Sequence, residues 1–342
     1  MNRFSQWLMV GAASATVVVT QIVALAQAPA VEPPGEIVGV GNFSHIVQNL
    51  DKSLEFYRDV LGLEVTVNQP FAPNPAIAKL GNTLGAQARY VALRVSGSAI
   101  GVELIEQKDI ERKPQHPRFC DPGSANLTLR VRDLGSVFAK IAKFPGVKVI
   151  TAAGKPVTIN TPNGSLHVVF VQDPDGFVVE LGEGKPPAGS TVPESSNVFG
   201  GGFELSIANS EESVKFYNNL LGFKMKLGAE FNANKLMAET AGAPGASFRQ
   251  SSSPIPGTAA SITLIEFKDI DRKPLHGRFQ DPGTAVLQLR VRDVVELTKK
   301  LKAAGVSIVT AGGEPVELGA AKIAIVRDPN NLMLELIQAP QK

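Results

Sequence analysis

The 342-residue sequence contains one cysteine, Cys120, and one tryptophan, Trp7. A lone thiol excludes an internal disulfide, so the fold must be held by burial whatever the redox compartment. An excess of one charge is also missing. Lys and Arg number 34 against 32 Asp and Glu, a formal net charge of +2. That balance gives no electrostatic reason to expect nucleic acid or an anionic membrane as a partner. No Cys-x-x-Cys pair, glycine-rich phosphate loop or Ser-His-Asp order occurs, and those chemistries are set aside.

Charge is scarce at the start as well. Arg3 is the only charge before Glu32, residues 7–26 are apolar or small apart from Gln21, and Ala24-Leu25-Ala26 is a small-x-small cleavage pattern. Residues 1–26 therefore read as an export signal, which predicts a periplasmic or secreted protein. The alternative is an uncleaved N-terminal helix acting as an anchor, because about 20 uncharged residues span a bilayer. No membrane association beyond export is expected.

What the chain does have is an internal repeat. LIEQKDIERKPQHPRFCDPGSANLTLRVRDL (104–134) and LIEFKDIDRKPLHGRFQDPGTAVLQLRVRDV (264–294) match at 22 of 31 positions, at an offset of 160. The same offset pairs LEFYRDVLGL with VKFYNNLLGF, and VVFVQDPDGFVVEL pairs with IAIVRDPNNLMLEL. Two domains follow, 37–184 and 198–340, joined by a Pro-, Ser- and Gly-rich linker at 185–197. Each copy divides again. Leu54, Phe56, Tyr57, Val60 and Leu61 form a helical apolar face ending at Gly62, and several strand-like runs follow. In ANLTLRVRD, Leu127, Leu129 and Val131 point one way while Asn126, Thr128 and Arg130 point the other, toward a candidate cleft.

The runs FYRDVLGL, LRVRD and DPDGFVVEL resemble the vicinal oxygen chelate superfamily of glyoxalases, bleomycin-resistance proteins and extradiol dioxygenases. The resemblance covers both copies. It implies an α+β fold of tandem glyoxalase-like domains, each of two βαβββ modules forming a cup-shaped mixed sheet with helices outside. It also implies a divalent metal in the cup, where a cation offsets charge developing on substrate oxygens. Carried over by position, the ligand sites are Asn42 and Asn126 on first strands and Glu103 and Glu180 on last strands. The second copy has Gly202, Val286, Thr263 and Glu335 instead. The within-copy set Asn42, Glu103, Asn126 and Glu180 is all-oxygen and would suit Mg, Mn or Ca rather than Zn. No metal is expected in the second copy. Modules pairing across the copies are the alternative. They would give Asn42, Glu103, Val286 and Glu335 in one cup, and Gly202, Thr263, Asn126 and Glu180 in the other.

Glu180 and Glu335 lie mid-strand between apolar neighbours, where a carboxylate needs a partner or a raised pKa. Glu180 and Glu103 are the candidate catalytic groups. Arg130 is a candidate substrate contact or the partner of Glu180, and His167 a candidate on the cleft rim. His45 shares its strand side with Phe43 and Val47 and reads as a core or rim histidine. Both copies keep R-K-P-x-H-x-R-F-x-D-P-G. Arg112, Arg118 and His116 there are candidates for a rim that binds anionic substrate groups. Against that stands turn chemistry, with Arg paired to Asp121 or Asp281.

Three functional readings follow. The first is an exported glyoxalase-like enzyme of lyase, isomerase or dioxygenase type, acting on a small oxygen-rich substrate with metal assistance as one route. The second is a non-catalytic small-molecule binding protein of the bleomycin-resistance type. The third is an interaction module of the cell envelope. A tandem chain would work as a monomer that mimics a dimer, or as a homodimer.

Overall fold

The computed structural model describes residues 36–161 and 164–340, so the expected export segment lies outside the described residues. Four modules follow in order. The first holds β1 (Ile37–Ile46), α1 (Leu50–Leu54, continued by a π-helical turn Glu55–Val60), β2 (Glu64–Pro73), α2 (Pro75–Leu80), β3 (Gln87–Arg94) and β4 (Gly101–Lys108). The second holds β5 (Ala125–Val131), α3 (Leu134–Ile141), β6 (Lys148–Val149), β7 (Val157–Thr161), β8 (Gly164–Gln172) and β9 (Val178–Glu183). The third holds β10 (Val198–Ile207), α4 (Ser210–Asn219), α5 (Lys235–Thr240), β11 (Ser247–Pro254) and β12 (Ser261–Lys268). The fourth holds β13 (Ala285–Val291), α6 (Val294–Ala303), β14 (Val316–Leu318), β15 (Ala321–Arg327) and β16 (Met333–Gln338).

The sheets join modules across the two copies. One sheet runs β14-β15-β16-β13-β1-β4-β3-β2, so modules one and four share it through the antiparallel β1–β13 pair. The other runs β11-β12-β10-β5-β9-β8-β6 and joins modules two and three through β5–β10. We call the concave faces the outer-module cup and the inner-module cup. This corrects the within-copy set: Asn42 and Glu103 belong to one sheet, Asn126 and Glu180 to the other. One chain supplies every strand of both cups.

The main core lies between the convex faces, where Phe43 of β1 meets Phe203 of β10 with ring centroids 5.0 Å apart. The apolar faces of α1, α3, α4 and α6 close the same core. The shared motifs explain how. The Asp ending each RVRD run caps the next helix: Asp133 accepts from Ser136 N, and Asp293 from Val295 N and Glu296 N. The Tyr of each FY pair donates to the Asp of each DP turn, Tyr57 to Asp173 at 2.9 Å and Tyr217 to Asp328 at 3.2 Å. These bonds tie modules within a copy, while the sheets tie modules between copies. His45 is wholly buried beside Phe177 and Tyr57, away from the cups, and burial lowers its pKa to about 3.

The two R-K-P-x-H-x-R-F-x-D-P-G loops clasp each other. Asp121 accepts from Arg118 Nη2 at 2.6 Å and from the backbone N–H of Lys273 at 2.8 Å. Asp281 accepts from Arg278 Nη2 and from Lys113 N, each at 2.8 Å. Arg112 reaches the carbonyl of Val47, and His116 is exposed at the loop surface. None of Arg112, Arg118 and His116 lines the described inner cavity. Burial alone would raise the pKa of both aspartates, but hydrogen bonds from their arginines and from backbone N–H groups outweigh it and hold them below the ordinary range. Asp121→Ala would strand several donors at once, so a loss of about 2–4 kcal/mol is expected in urea unfolding. The native contribution of this aspartate is present at neutral pH and fades as pH falls through its lowered pKa. A change under about 0.5 kcal/mol would show the clasp to be ornamental.

Candidate functional site

The inner-module cup is hollow. A cavity of about 260 Å³ lies between its sheet and α5, walled by Phe119, Phe170, Phe248, Phe267 and other apolar side chains, with Arg130, Glu180, Glu204, Thr240 and Gln250 as its polar lining. Strand alternation puts the carboxyls there. Glu180 sits between the core residues Val179 and Leu181, and Glu204 between Phe203 and Leu205, so both carboxyls face the concave side.

Glu180 and Glu204 both line this cavity and bear on each other's ionisation, and Asn126 Nδ2 donates to Glu204 Oε2 at 2.7 Å. Two buried carboxyls side by side disfavour the doubly ionised state. Burial raises the pKa of both, and the charge of Glu204 raises Glu180 further, well above the carboxylate range. The bond from Asn126 works the other way on Glu204, favouring its ionised form. The pair therefore holds protons more tightly than free glutamates do, Glu180 most, and its two groups titrate together. The charge of Arg130 favours ionisation of both. Its guanidinium lies over Gly182, where a Cβ would stand 2.6 Å from Nη1.

The outer-module cup has a similar floor. Glu103 accepts from Ser44 Oγ at 2.8 Å and from Gln288 Nε2 at 2.9 Å, and the same amide reaches Glu335 at 3.4 Å. Burial and the charge of Glu103 push Glu335 up to about 8, and burial also raises Glu103. Above this floor, Leu80, Phe279, Val286, Val316, Ile323 and Ile325 form a buried cluster. At repeat-equivalent positions the lining differs: Leu80 and Tyr90 here stand where the inner cup has Thr240 and Gln250, and Ala88 and Gln107 where it has Phe248 and Phe267.

The candidate residues therefore separate. Glu180 and Arg130 meet in the inner cup with Asn126 beneath them, while Asn42 and Glu103 lie in the outer one. His167 falls on the opposite sheet face from the cavity-lining Leu166 and Val168, and bonds Glu183 at 3.0 Å instead. The sequence reading missed Glu204, Gln288 and Ser44. Glu204 carried a usable signal, an acidic residue inside an apolar strand.

Neither cup fits the four-ligand divalent site that the family resemblance implies. Among the described residues no three His, Cys, Asp or Glu side chains converge as metal ligands. In the outer cup, Gln288 Oε1 accepts from Asn42 N, which turns its N–H groups, donors rather than ligands, toward Glu103 and Glu335. In the inner cup Gly202 has no side chain, the Thr263 hydroxyl bonds Ser252, and burial raises the pKa of both carboxyls, which favours protonated groups over ligands. Millimolar Mg²⁺, Ca²⁺, Mn²⁺, Ni²⁺ or Zn²⁺ should accordingly move the melting temperature by less than about 1 °C, where saturating a real site adds about 3 kcal/mol. A saturable rise of several degrees, absent in Glu180→Gln, would overturn this assignment.

Comparison with known proteins agrees with this architecture. The model of the Glyoxalase/Bleomycin resistance protein/Dioxygenase superfamily matches residues 39–181 and 202–336. A 2-epi-5-epi-valiolone epimerase from Actinomyces sp is 31% identical over 147 residues, covering 42% of this chain and 78% of that protein. Glyoxalase I from Zea mays superposes with a TM-score of 0.58 at 16% identity, over 88% of this chain and 92% of the other. A putative dioxygenase from Bacillus subtilis gives a TM-score of 0.58 at 14% identity, over 90% and 87% of the two chains. With both copies matched along nearly their whole length, the chain belongs to the Glyoxalase/Bleomycin resistance protein/Dioxygenase superfamily.

Proposed function

We propose that this chain is an isomerase-type enzyme that moves a proton on a small carbonyl compound bound in the inner-module cup. The observation that carries the proposal is the pair of buried glutamates, Glu180 and Glu204, both raised by burial, beside Arg130 in a largely apolar cavity; in our reading Glu180, the more strongly raised, keeps the proton and Glu204 is the carboxylate. Two carboxyls whose environments hold them in opposite protonation states form an acid–base pair at neutral pH. Ionised Glu204 takes the proton from the carbon next to the carbonyl. The carbon–hydrogen pair of electrons becomes the new C=C bond, and the carbonyl oxygen becomes an enolate oxygen. Protonated Glu180 donates to that oxygen, and the Arg130 guanidinium offsets its charge. Glu204 then returns a proton to the carbon while the oxygen gives its proton back to Glu180, which reforms the carbonyl and restores both groups; the centre inverts when the planar enol presents its other face to Glu204 before that return. The relative named an epimerase favours this reaction type.

The export reading joins the proposal through residues 7–26, and fractionation of a reporter fused after residue 26 tests it. The chemistry is tested by incubating the purified chain in D₂O with a panel of 2-hydroxyketones and following the α-proton by NMR. Protein-catalysed exchange is expected for at least one member. Ligand binding with no exchange across the panel would favour the binding-protein reading and end the enzyme one.

A further inference from the structure

Taking the inner-module cup as the working site, we propose that its ligand is a neutral molecule with a flat apolar ring and one carbonyl-bearing polar end, not a polyhydroxylated compound. The walls make the first half of the argument. Phe119 packs against Phe170 with centroids 5.8 Å apart and against Phe267 at 5.5 Å, and Phe267 reaches Phe248 at 6.3 Å. These four rings form one connected aromatic wall, tilted and edge-on among themselves, which leaves faces and edges for a guest ring. Met237 of α5 adds an adaptable thioether to the lining.

Size narrows the choice. At about 260 Å³, the cavity is less than twice the roughly 150 Å³ apolar cavity that takes up benzene. It admits one ring with a short chain, or two fused rings. Polar partners narrow it further. Arg130, Glu180 and Glu204 lie on the adjacent strands β5, β9 and β10, whereas Gln250 stands apart on β11, and the Thr240 hydroxyl spends its one proton on Leu236 O at 2.6 Å and keeps only acceptor capacity. Each further hydroxyl on a ligand would face Phe, Ile, Leu or Val and lose water without replacement. An anionic head would meet two carboxyls and a cationic head would meet Arg130, so a neutral head suits the floor best.

The test uses the purified chain and titration calorimetry with three probes: 2-hydroxyacetophenone, benzoate and dihydroxyacetone. The aromatic ketone should bind on the order of 100-fold more tightly than either of the others. Two filling changes, Thr240→Leu and Gln250→Tyr, copy the residues of the outer cup, where Leu80 is packed in a buried cluster. Together they should abolish binding without lowering the melting temperature. Tighter binding of dihydroxyacetone, binding of no probe, or aromatic binding that survives the filling would each overturn the proposal. The enzyme reading fails separately: exchange on dihydroxyacetone would sustain it while this ligand class falls, and aromatic binding without exchange would do the reverse.

Discussion

In Glu180→Gln, solvent-proton exchange into a bound hydroxyketone is expected to fall by about two to four orders of magnitude, with ligand affinity changed by less than about threefold. Glutamine keeps the size of the side chain and an N–H that can donate to Glu204, so the buried floor stays hydrogen-bonded and the fold is retained. What it loses is a proton that can be given and taken back. Glu204→Gln removes the base and should lose a similar factor. The pH profile of the parent chain should be bell-shaped, because the active form holds one proton on the pair: a second proton silences Glu204 on the acid side, and loss of the shared one disarms Glu180 on the alkaline side. Full exchange in Glu180→Gln, measured by the same α-proton NMR assay, would remove Glu180 from the chemistry.

Glu335→Gln should stabilise the protein at alkaline pH. Its folded pKa of about 8 lies above the ordinary value of 4.5, because burial and Glu103 disfavour its charge. The folded state therefore binds the extra proton across that interval. Stability from this group is fully present below the unfolded pKa and is lost as pH rises toward 8, at up to roughly 1.4 kcal/mol per unit. Glutamine carries no such charge, and its carbonyl can accept from Gln288 Nε2 as the carboxyl does. Urea unfolding should show parent and variant nearly equal near pH 4.5 and the variant ahead by on the order of 3 kcal/mol near pH 8.5. Asp173, raised to about 7, and Asp328, raised to about 6, give slopes of the same sign in both proteins. A difference independent of pH, or a variant that weakens as pH rises, would contradict the assignment.

Much of this fold was legible because the physics that sets it is local. Alternation in ANLTLRVRD placed Asn126, Thr128 and Arg130 on one face, and the repeat offset located the equivalent strand of the second copy. Pairing was not legible. β5 has two free edges until the fold is complete, and nothing in its residues distinguishes β10 of the next copy from a strand of its own. That is why the favoured ligand set joined residues that lie in different sheets. The register was one pleat short on the first strands. Counting from the helix start pointed to Asn42, whereas Ser44 is the residue that meets Glu103. The face was right and the step along it was not, because the pairing of β1 with β4 sets Ser44, and not Asn42, opposite Glu103. His167 failed by parity, being adjacent in sequence to the cavity wall and on the far side of its strand. The loop arginines resolved toward turn chemistry because a buried Asp within three residues is a nearer partner than any substrate.

The proton assigned to the inner-cup pair can be observed without any substrate. Carboxyl-carbon NMR of protein labelled at the glutamate side chains, assigned with Glu180→Gln and Glu204→Gln, follows each group from pH 3 to 10. One proton of the pair should stay bound well above the usual glutamate range near 4.3, and the two resonances should move together as it leaves. Independent titration of both groups close to 4.3 would mean that no proton is held between them at neutral pH, and the assignment of this cup as a proton-transfer site would be wrong.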